Sequence, residues 1–145
     1  MSSSPITWLH EDFRGPFPDP SLALAEPDGL LAAGGNLDSE TLLQAYSQGI
    51  FPWYSNGQPI LWWAPDPRCV LFPQDFRVSR SFRRTLNRGG YRITRDRAFK
   101  RVMQECAAPR NGQQGTWITG EMFDAYVALH QAGFATSVEV WREHD

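Results

Sequence analysis

The chain has 145 residues, 41% of them hydrophobic and 21% charged, with a formal net charge of −2, a globular balance that suits one domain or one small domain plus part of another. No run approaches the ~20 apolar residues of a membrane span, and the opening Met-Ser-Ser-Ser-Pro-Ile-Thr lacks the basic-then-apolar layout of a secretion signal, so a cytoplasmic protein with no membrane partner is expected. Two cysteines, Cys69 and Cys106, form neither a disulfide framework nor a Cys-x-x-Cys pair, and His10, His130 and His144 lack metal-ligand spacing; both cysteines are expected to be buried, and no metal or cofactor is expected.

Residues 1–35 are dense in turn formers (Gly15-Pro16, Pro18-Asp19-Pro20, Pro27-Asp28-Gly29, Gly34-Gly35), with short apolar runs at Ile6 to Leu9 and Leu30 to Ala33, and read as an irregular layer holding one short strand. Asp38 is a suitable N-cap for a helix to about Gln48, with Gly49 as its stop. Leu42, Leu43 and Tyr46 share that helix's inner face at i, i+1 and i+4. Gly49 to Arg68 then holds Trp53, Trp62 and Trp63 with Phe51, Tyr54 and prolines at 52, 59, 65 and 67. Because proline fixes φ and removes a backbone donor, this stretch is expected to be stiff and irregular, neither a long helix nor a central strand. Its rings either fill a corner of the core or present flat faces to a planar partner such as a nucleobase. Adjacent Trp62 and Trp63 point to different sides, so at least one belongs to the core.

Pro65-Asp66-Pro67 reads as a boundary, and Cys69 to Phe72 as a short buried strand. Charge changes character soon after. From Met1 to Phe76 there are two basic and nine acidic residues, whereas residues 77–110 hold eleven basic ones (Arg77, Arg80, Arg83, Arg84, Arg88, Arg92, Arg95, Arg97, Lys100, Arg101, Arg110) against Asp96 and Glu105. Ten of the eleven are arginine, whose planar fork matches phosphate oxygens, and such a block in a mildly acidic chain is the footprint of a polyanion site. Ser79 can cap a helix to about Asn87, halted by Gly89-Gly90, with Phe82 and Leu86 as an apolar stripe and Arg80, Arg84 and Arg88 at i, i+4 and i+8 beside Arg83. Like charges at that spacing weaken an isolated helix, so the row is better explained by an anionic partner than by stability.

Tyr91 to Thr94 predicts a strand, and Asp96 the cap of a helix to about Ala107 with Phe99, Val102, Met103 and Cys106 inward. After a polar loop from Pro109 to Gly115, Thr119 caps a helix from Gly120 to Ala132 closed by Gly133, with Met122, Phe123, Tyr126 and Leu129 inward. Ala135 to Trp141 alternates as a strand with Val138 and Val140 on one face, followed by a turn over 142–145, and looks like part of an unfinished sheet.

Glu26-Pro-Asp-Gly-Leu-Leu, Gly34-Gly-Asn-Leu37, Gly49-Ile-Phe-Pro-Trp-Tyr, Leu61-Trp-Trp-Ala-Pro-Asp-Pro-Arg68, Gly115-Thr-Trp-Ile-Thr119 and Val138-Glu-Val-Trp-Arg-Glu143 together resemble the bacterial leucyl/phenylalanyl-tRNA–protein transferases, from about Phe17 to Asp145. The resemblance implies an aminoacyltransferase of the N-end rule: Leu or Phe passes from aminoacyl-tRNA to acceptor proteins beginning with Arg or Lys, marking them for degradation. It implies an α+β fold with a small N-terminal domain (1–67) followed by the first part of a GNAT-like, acetyltransferase-type α/β domain (68–145). By position, Tyr46, Trp53, Trp117 and Tyr126 match the aromatics that surround the 3′-terminal adenosine, and Arg80, Arg84 and Arg88 match tRNA phosphate contacts. Asn87 stands where relatives carry a basic residue, with Arg83 available beside it.

Family members continue well past the Val138–Arg142 strand, and the remainder holds the pocket for the Leu or Phe side chain and the polar residues of the chemistry. The chain is therefore expected to be a shortened form that catalyses nothing by itself, and no catalytic residue is assigned within 1–145; Asp66 between two prolines reads as a turn residue, and Glu139 is open between a structural and a chemical role. One rival reading is a non-catalytic RNA-binding module carried by the arginines and aromatics. The other, an acyl-coenzyme A acetyltransferase, needs a Gly-rich pyrophosphate loop opening a helix, which the chain lacks.

Overall fold

The computed structural model describes residues 6–109 and 115–142; Arg110, the centre of the expected polar loop and the end of the expected C-terminal turn lie outside them. Within the described residues the chain is mixed α+β, with four α-helices and two sheets. The larger sheet has strand order β1 (Thr7–Leu9), β2 (Leu30–Gly34), β4 (Leu61–Trp63), β3 (Phe51–Pro52). β1 runs parallel to β2, and the other pairs are antiparallel.

The N-terminal layer thus has two strands where one was expected, and the proline-rich stretch does supply an inner strand. Proline forbids ladder bonds only at its own position. Ile60 to Ala64 lies between Pro59 and Pro65 with every N–H intact, which suffices for three residues of β4 between two neighbours. Pro52, by contrast, sits on the edge strand β3. The turn joining β3 to β4 is closed by Gln58 N–H on Ser55 O (3.0 Å) and Ser55 N–H on Gln58 Oε1 (2.9 Å).

Trp62 is fully buried and forms the centre of the core. It meets Phe17 edge-on at 4.8 Å, Phe17 meets Phe13 at 4.9 Å, and its indole N–H donates to Gly34 O at 2.9 Å. Around it pack Leu9, Leu31, Ala32, Ile50 and, from helix α1 (Ser39–Ser47), Leu42 and Ala45. Gly49 ends α1 at φ +75°, a conformation that glycine adopts without strain. Leu129, from helix α4 (Gly120–Gln131), belongs to the same cluster, so an element from late in the chain is packed into the core built by the first sixty-odd residues.

Helix α2 (Arg80–Arg88) starts where Ser79 Oγ accepts Phe82 N–H at 3.2 Å and buries no residue. β5 (Tyr91–Arg95) pairs antiparallel with β6 (Val138–Arg142) from Tyr91↔Arg142 to Arg95↔Val138, so the strand read as belonging to an unfinished sheet has a partner along its whole length. Its faces are the reverse of ordinary amphipathic packing: Ile93, Val138 and Val140 face solvent, while Glu139 is buried.

Three local expectations fail here. The stretch 69–72 forms no strand, because no neighbouring strand supplies its ladder, and Cys69 is exposed. Cys106, on helix α3 (Phe99–Ala107), is exposed as well, since only Phe99 on that helix reaches full burial. Asp96 does not cap α3. It adopts φ +56°, and its Oδ1 accepts Ser137 N–H at 2.8 Å, while the N–H groups of Ala98 (3.2 Å) and Arg97 (3.4 Å) go to the Glu139 carboxylate from across the sheet.

Candidate nucleoside-binding site

Tyr46, Trp53 and Trp117 line one cavity of about 270 Å³ together with Phe51, Pro52 and Arg68. Each wall has a local cause. Tyr46 is on the last turn of α1, four residues past Leu42, so anchoring Leu42 in the core directs the tyrosine along the same side of the helix. Trp53 directly follows the edge strand β3, and its backbone continues the ladder through Trp53 N–H on Leu61 O (2.9 Å). The Trp63 indole N–H donates to Trp53 O at 2.7 Å, fixing the peptide that carries the Trp53 ring. Trp117 precedes α4, whose start is fixed by Thr119 Oγ1 accepting Met122 N–H at 3.2 Å.

Tyr54 joins the two halves of this wall. Its buried hydroxyl lies 3.3 Å from Thr119 Oγ1 and donates to Glu121 Oε2 at 3.3 Å, linking the residue after Trp53 to the residues just past Trp117. Burial raises the Tyr54 phenol above its ordinary value, with the Glu121 charge acting in the same direction, so it remains a neutral donor at physiological pH.

Tyr126 stands behind the cavity wall. Its ring is edge-on to Tyr46 (centroids 6.5 Å, interplanar angle 88°) and to Trp117 (6.3 Å, 76°), and its hydroxyl is hydrogen-bonded to that of Tyr46. Burial, then the Tyr46 hydroxyl, pushes the Tyr126 phenol upward. All four sequence-nominated aromatics are therefore contiguous, three at the surface of the cavity and Tyr126 bracing two of them. Tyr46, Trp53 and Trp117 remain 45%, 57% and 39% exposed, which separates them from Trp62 and removes core filling as their explanation.

Arg80, Arg83, Arg84 and Arg88 are all exposed on α2, and among the described residues none has a carboxylate within 4.0 Å. None of them lines the aromatic cavity. Sequence reasoning passed over Phe51, Pro52 and Arg68 as cavity residues, although all three lie in the stretch it singled out. It also passed over Tyr54, for which residue order carries no signal because its partners are 65 and 67 positions away.

The Glu139 carboxylate forms a second polar centre. It accepts from Thr94 Oγ1 and Ser137 Oγ, each at 2.5 Å, as well as from the start of α3, and the Trp141 indole N–H donates to Thr94 Oγ1 at 2.8 Å. The Ser137 and Thr94 hydroxyls lower its pKa most, to about 2, with burial opposing them and the Ala98 and Arg97 amides adding smaller downward contributions. So held, it is a fixed charge that ties β5, β6 and α3 together.

Comparison with known proteins matches residues 70–145 to the leucyl/phenylalanyl-tRNA protein transferase family and residues 35–66 to the N-terminal domain of the same family. Among curated relatives, the leucyl/phenylalanyl-tRNA–protein transferase of Stutzerimonas stutzeri is 57% identical over 138 residues, covering 95% of this chain and 61% of the relative. That of an Anaeromyxobacter species (strain K) is 63% identical over 126 residues (86% and 53%), and that of Nitrosomonas europaea 59% over 128 residues (88% and 54%). The chain thus spans between about half and three-fifths of the length of these relatives. With one family model matching residues 70–145 and a second matching 35–66, the chain belongs to the leucyl/phenylalanyl-tRNA protein transferase family.

Proposed function

We propose that this chain carries the part of a Leu/Phe aminoacyltransferase that grips the acceptor end of aminoacyl-tRNA, with the 3′-terminal adenosine in the cavity of Tyr46, Trp53 and Trp117 braced by Tyr126. The observation that carries this reading is the convergence of exposed, pre-oriented rings from α1, the β3 edge and the start of α4 on one cavity. Base-on-ring contact is worth ~1–3 kcal/mol per base, and rings held by packing lose little freedom on binding. Arg80, Arg84 and Arg88, with Arg83 beside them, take backbone phosphates of the tRNA, which accounts for a row of guanidinium groups lacking carboxylate partners among the described residues.

In the reaction, the α-amine of an acceptor protein beginning with Arg or Lys attacks the ester carbonyl of Leu- or Phe-tRNA. An amide bond forms, the ester C–O bond breaks, and the ribose hydroxyl leaves with a proton while the amine gives one up. The ester is already activated, so the main requirement is positioning two partners, to which a rigid adenosine clamp contributes directly. No residue of this chain is assigned to the proton transfers. We assign 1–67 to an N-terminal domain and 68–145 to the start of a GNAT-like domain, and the protein to the cytoplasm and to N-end-rule degradation; among the described residues no helix is long and apolar enough to cross a membrane.

The decisive experiment has two arms. Adenosine titrated into the protein should change its tryptophan fluorescence saturably, and labelled Phe should pass from Phe-tRNA to a peptide beginning with Arg but not to one beginning with Ala when the protein is supplied at the full length of its relatives. Adenosine without effect, together with no transfer from the long form, would discard this reading.

A further inference from the structure

Arg68 is built into the wall of the aromatic cavity. Its Nη1 donates to the Gly49 carbonyl at 2.8 Å, and its guanidinium carbon lies 4.7 Å from the centroid of the Phe51 ring. Both partners are fixed by the core: Gly49 by the end of α1, next to fully buried Ile50, and Phe51 by its register opposite Trp63. The side chain is therefore preorganised, with one face on an aromatic ring and one N–H on a backbone oxygen. A guanidinium carries five N–H donors, and among the described residues Gly49 O is its one protein acceptor, with no carboxylate within 4.0 Å.

The same residue lines a second cavity of about 640 Å³ that also includes Gln48, Gly49, Pro65 and Asp66. Arg68 thus stands on the wall shared by the aromatic cavity and its larger neighbour. The carboxylates Asp28 and Asp66 line only the larger one, so an anion approaching Arg68 is favoured from the aromatic side.

Resting on the nucleoside reading of the aromatic cavity, we infer that Arg68 is the anion-binding residue of that site and takes the phosphate on the 5′ side of the bound adenosine. In a tRNA this is the linkage to the preceding nucleotide, so Arg68 fixes the direction in which the strand leaves the cavity, apart from the phosphates met by α2. Arginine is suited to this because a fork can give two parallel N–H···O bonds to one phosphate while keeping its bond to Gly49.

The test is fluorescence titration of the 145-residue protein at low salt with adenosine, adenosine 5′-monophosphate and adenosine 3′-monophosphate. The unsubstituted protein should bind the 5′-monophosphate about tenfold more tightly than adenosine, the scale of one charge-assisted forked contact, with little gain for the 3′-monophosphate. Arg68→Gln should erase the 5′ preference, bringing the 5′-monophosphate and adenosine affinities of that variant to within about twofold of each other, and Arg68→Lys should recover part of the preference as a point charge without the fork. An unchanged 5′ preference in Arg68→Gln would overturn the inference, as would equal gains for both monophosphates. Parallel losses of adenosine and monophosphate binding in both variants would make Arg68 a mere brace for Gly49. If none of the three ligands perturbs the unsubstituted protein, the nucleoside reading itself falls and takes this one with it.

Discussion

The lobe around Trp62 and the lobe around Glu139 are held together by opposite physics. In the first, Trp62, Leu42, Ala45 and Ile50 are fully buried and the inner strand β2 is buried on both faces from Leu30 to Ala33. In the second, α2 buries nothing, Ile93, Val138 and Val140 are 65%, 64% and 65% exposed, and the inward position of β6 is a carboxylate with four donors. One lobe rests on area removed from water, the other on a hydrogen-bonded node whose donors come from three elements. The difference explains where the aromatic cavity sits: its rings project from the packed lobe and from the segment leading into α4, which that lobe anchors through Leu129.

The comparison breaks most visibly at Trp62. Trp62→Ala removes the ring against which Phe17 packs and leaves the Gly34 carbonyl without its donor, a loss of about 3–5 kcal/mol that should appear as a lower denaturant midpoint and the disappearance of cooperative unfolding at physiological temperature. The Glu139 lobe should respond to acid instead. Because folding lowers the Glu139 pKa from 4.5 to about 2, its contribution is fully present above pH 4.5 and is lost as pH falls from there toward about 2. Hydrogen exchange at the Arg97 and Ala98 amides should accelerate across that window while amides of the Trp62 sheet stay protected. Glu139→Gln should flatten the dependence, and an unaltered acid profile in that variant would remove Glu139 as the node.

A smaller change sharpens the comparison, because it should touch the site and spare both lobes. Trp53 is exposed, so Trp53→Ala should alter stability by no more than about 0.5 kcal/mol. It should nevertheless weaken adenosine binding by ~1–3 kcal/mol, read in the same titration. A stability loss matching the binding loss would show that Trp53 belongs to the core after all.

How far residue order foretold this architecture depended on whether its causes were local. Three of the four helices were legible from short-range features: Ser79 and Thr119 accept the amide three residues on at the starts of α2 and α4, and Gly49, Gly89 and Gly133 take positive φ just past the ends of α1, α2 and α4. The cap of α3 was not, since it comes from Glu139, 41 residues away in its bond to Ala98, while Asp96, the local candidate, turns to Ser137. The family motifs nominated Trp53, while the assignment of Trp62 to the core and Trp63 to the ladder needed the pairing of β4 with β2 and β3, which alternation alone does not specify. Cys69 to Phe72 had the composition of a buried strand and no partner to pair with. Arg68 was visible only as the end of a motif, because the Gly49 carbonyl and Phe51 ring that orient it are brought beneath it by folding.

The smallest expected effect lies on α2, and it separates the arginine row from the cavity. Since α2 buries no residue and Arg84 has no carboxylate within 4.0 Å among the described residues, Arg84→Gln should leave the denaturant midpoint unchanged. Removing one phosphate contact should lower affinity for tRNA at low salt and reduce the slope of log K against log salt by roughly one, so that the two proteins converge as salt rises. Adenosine binding should be the same in both, because Arg84 does not line the aromatic cavity. Equal weakening toward adenosine and tRNA would mean that the substitution reaches the cavity through the fold, and the separation between a packed lobe presenting rings and a charged helix presenting guanidinium groups would no longer hold.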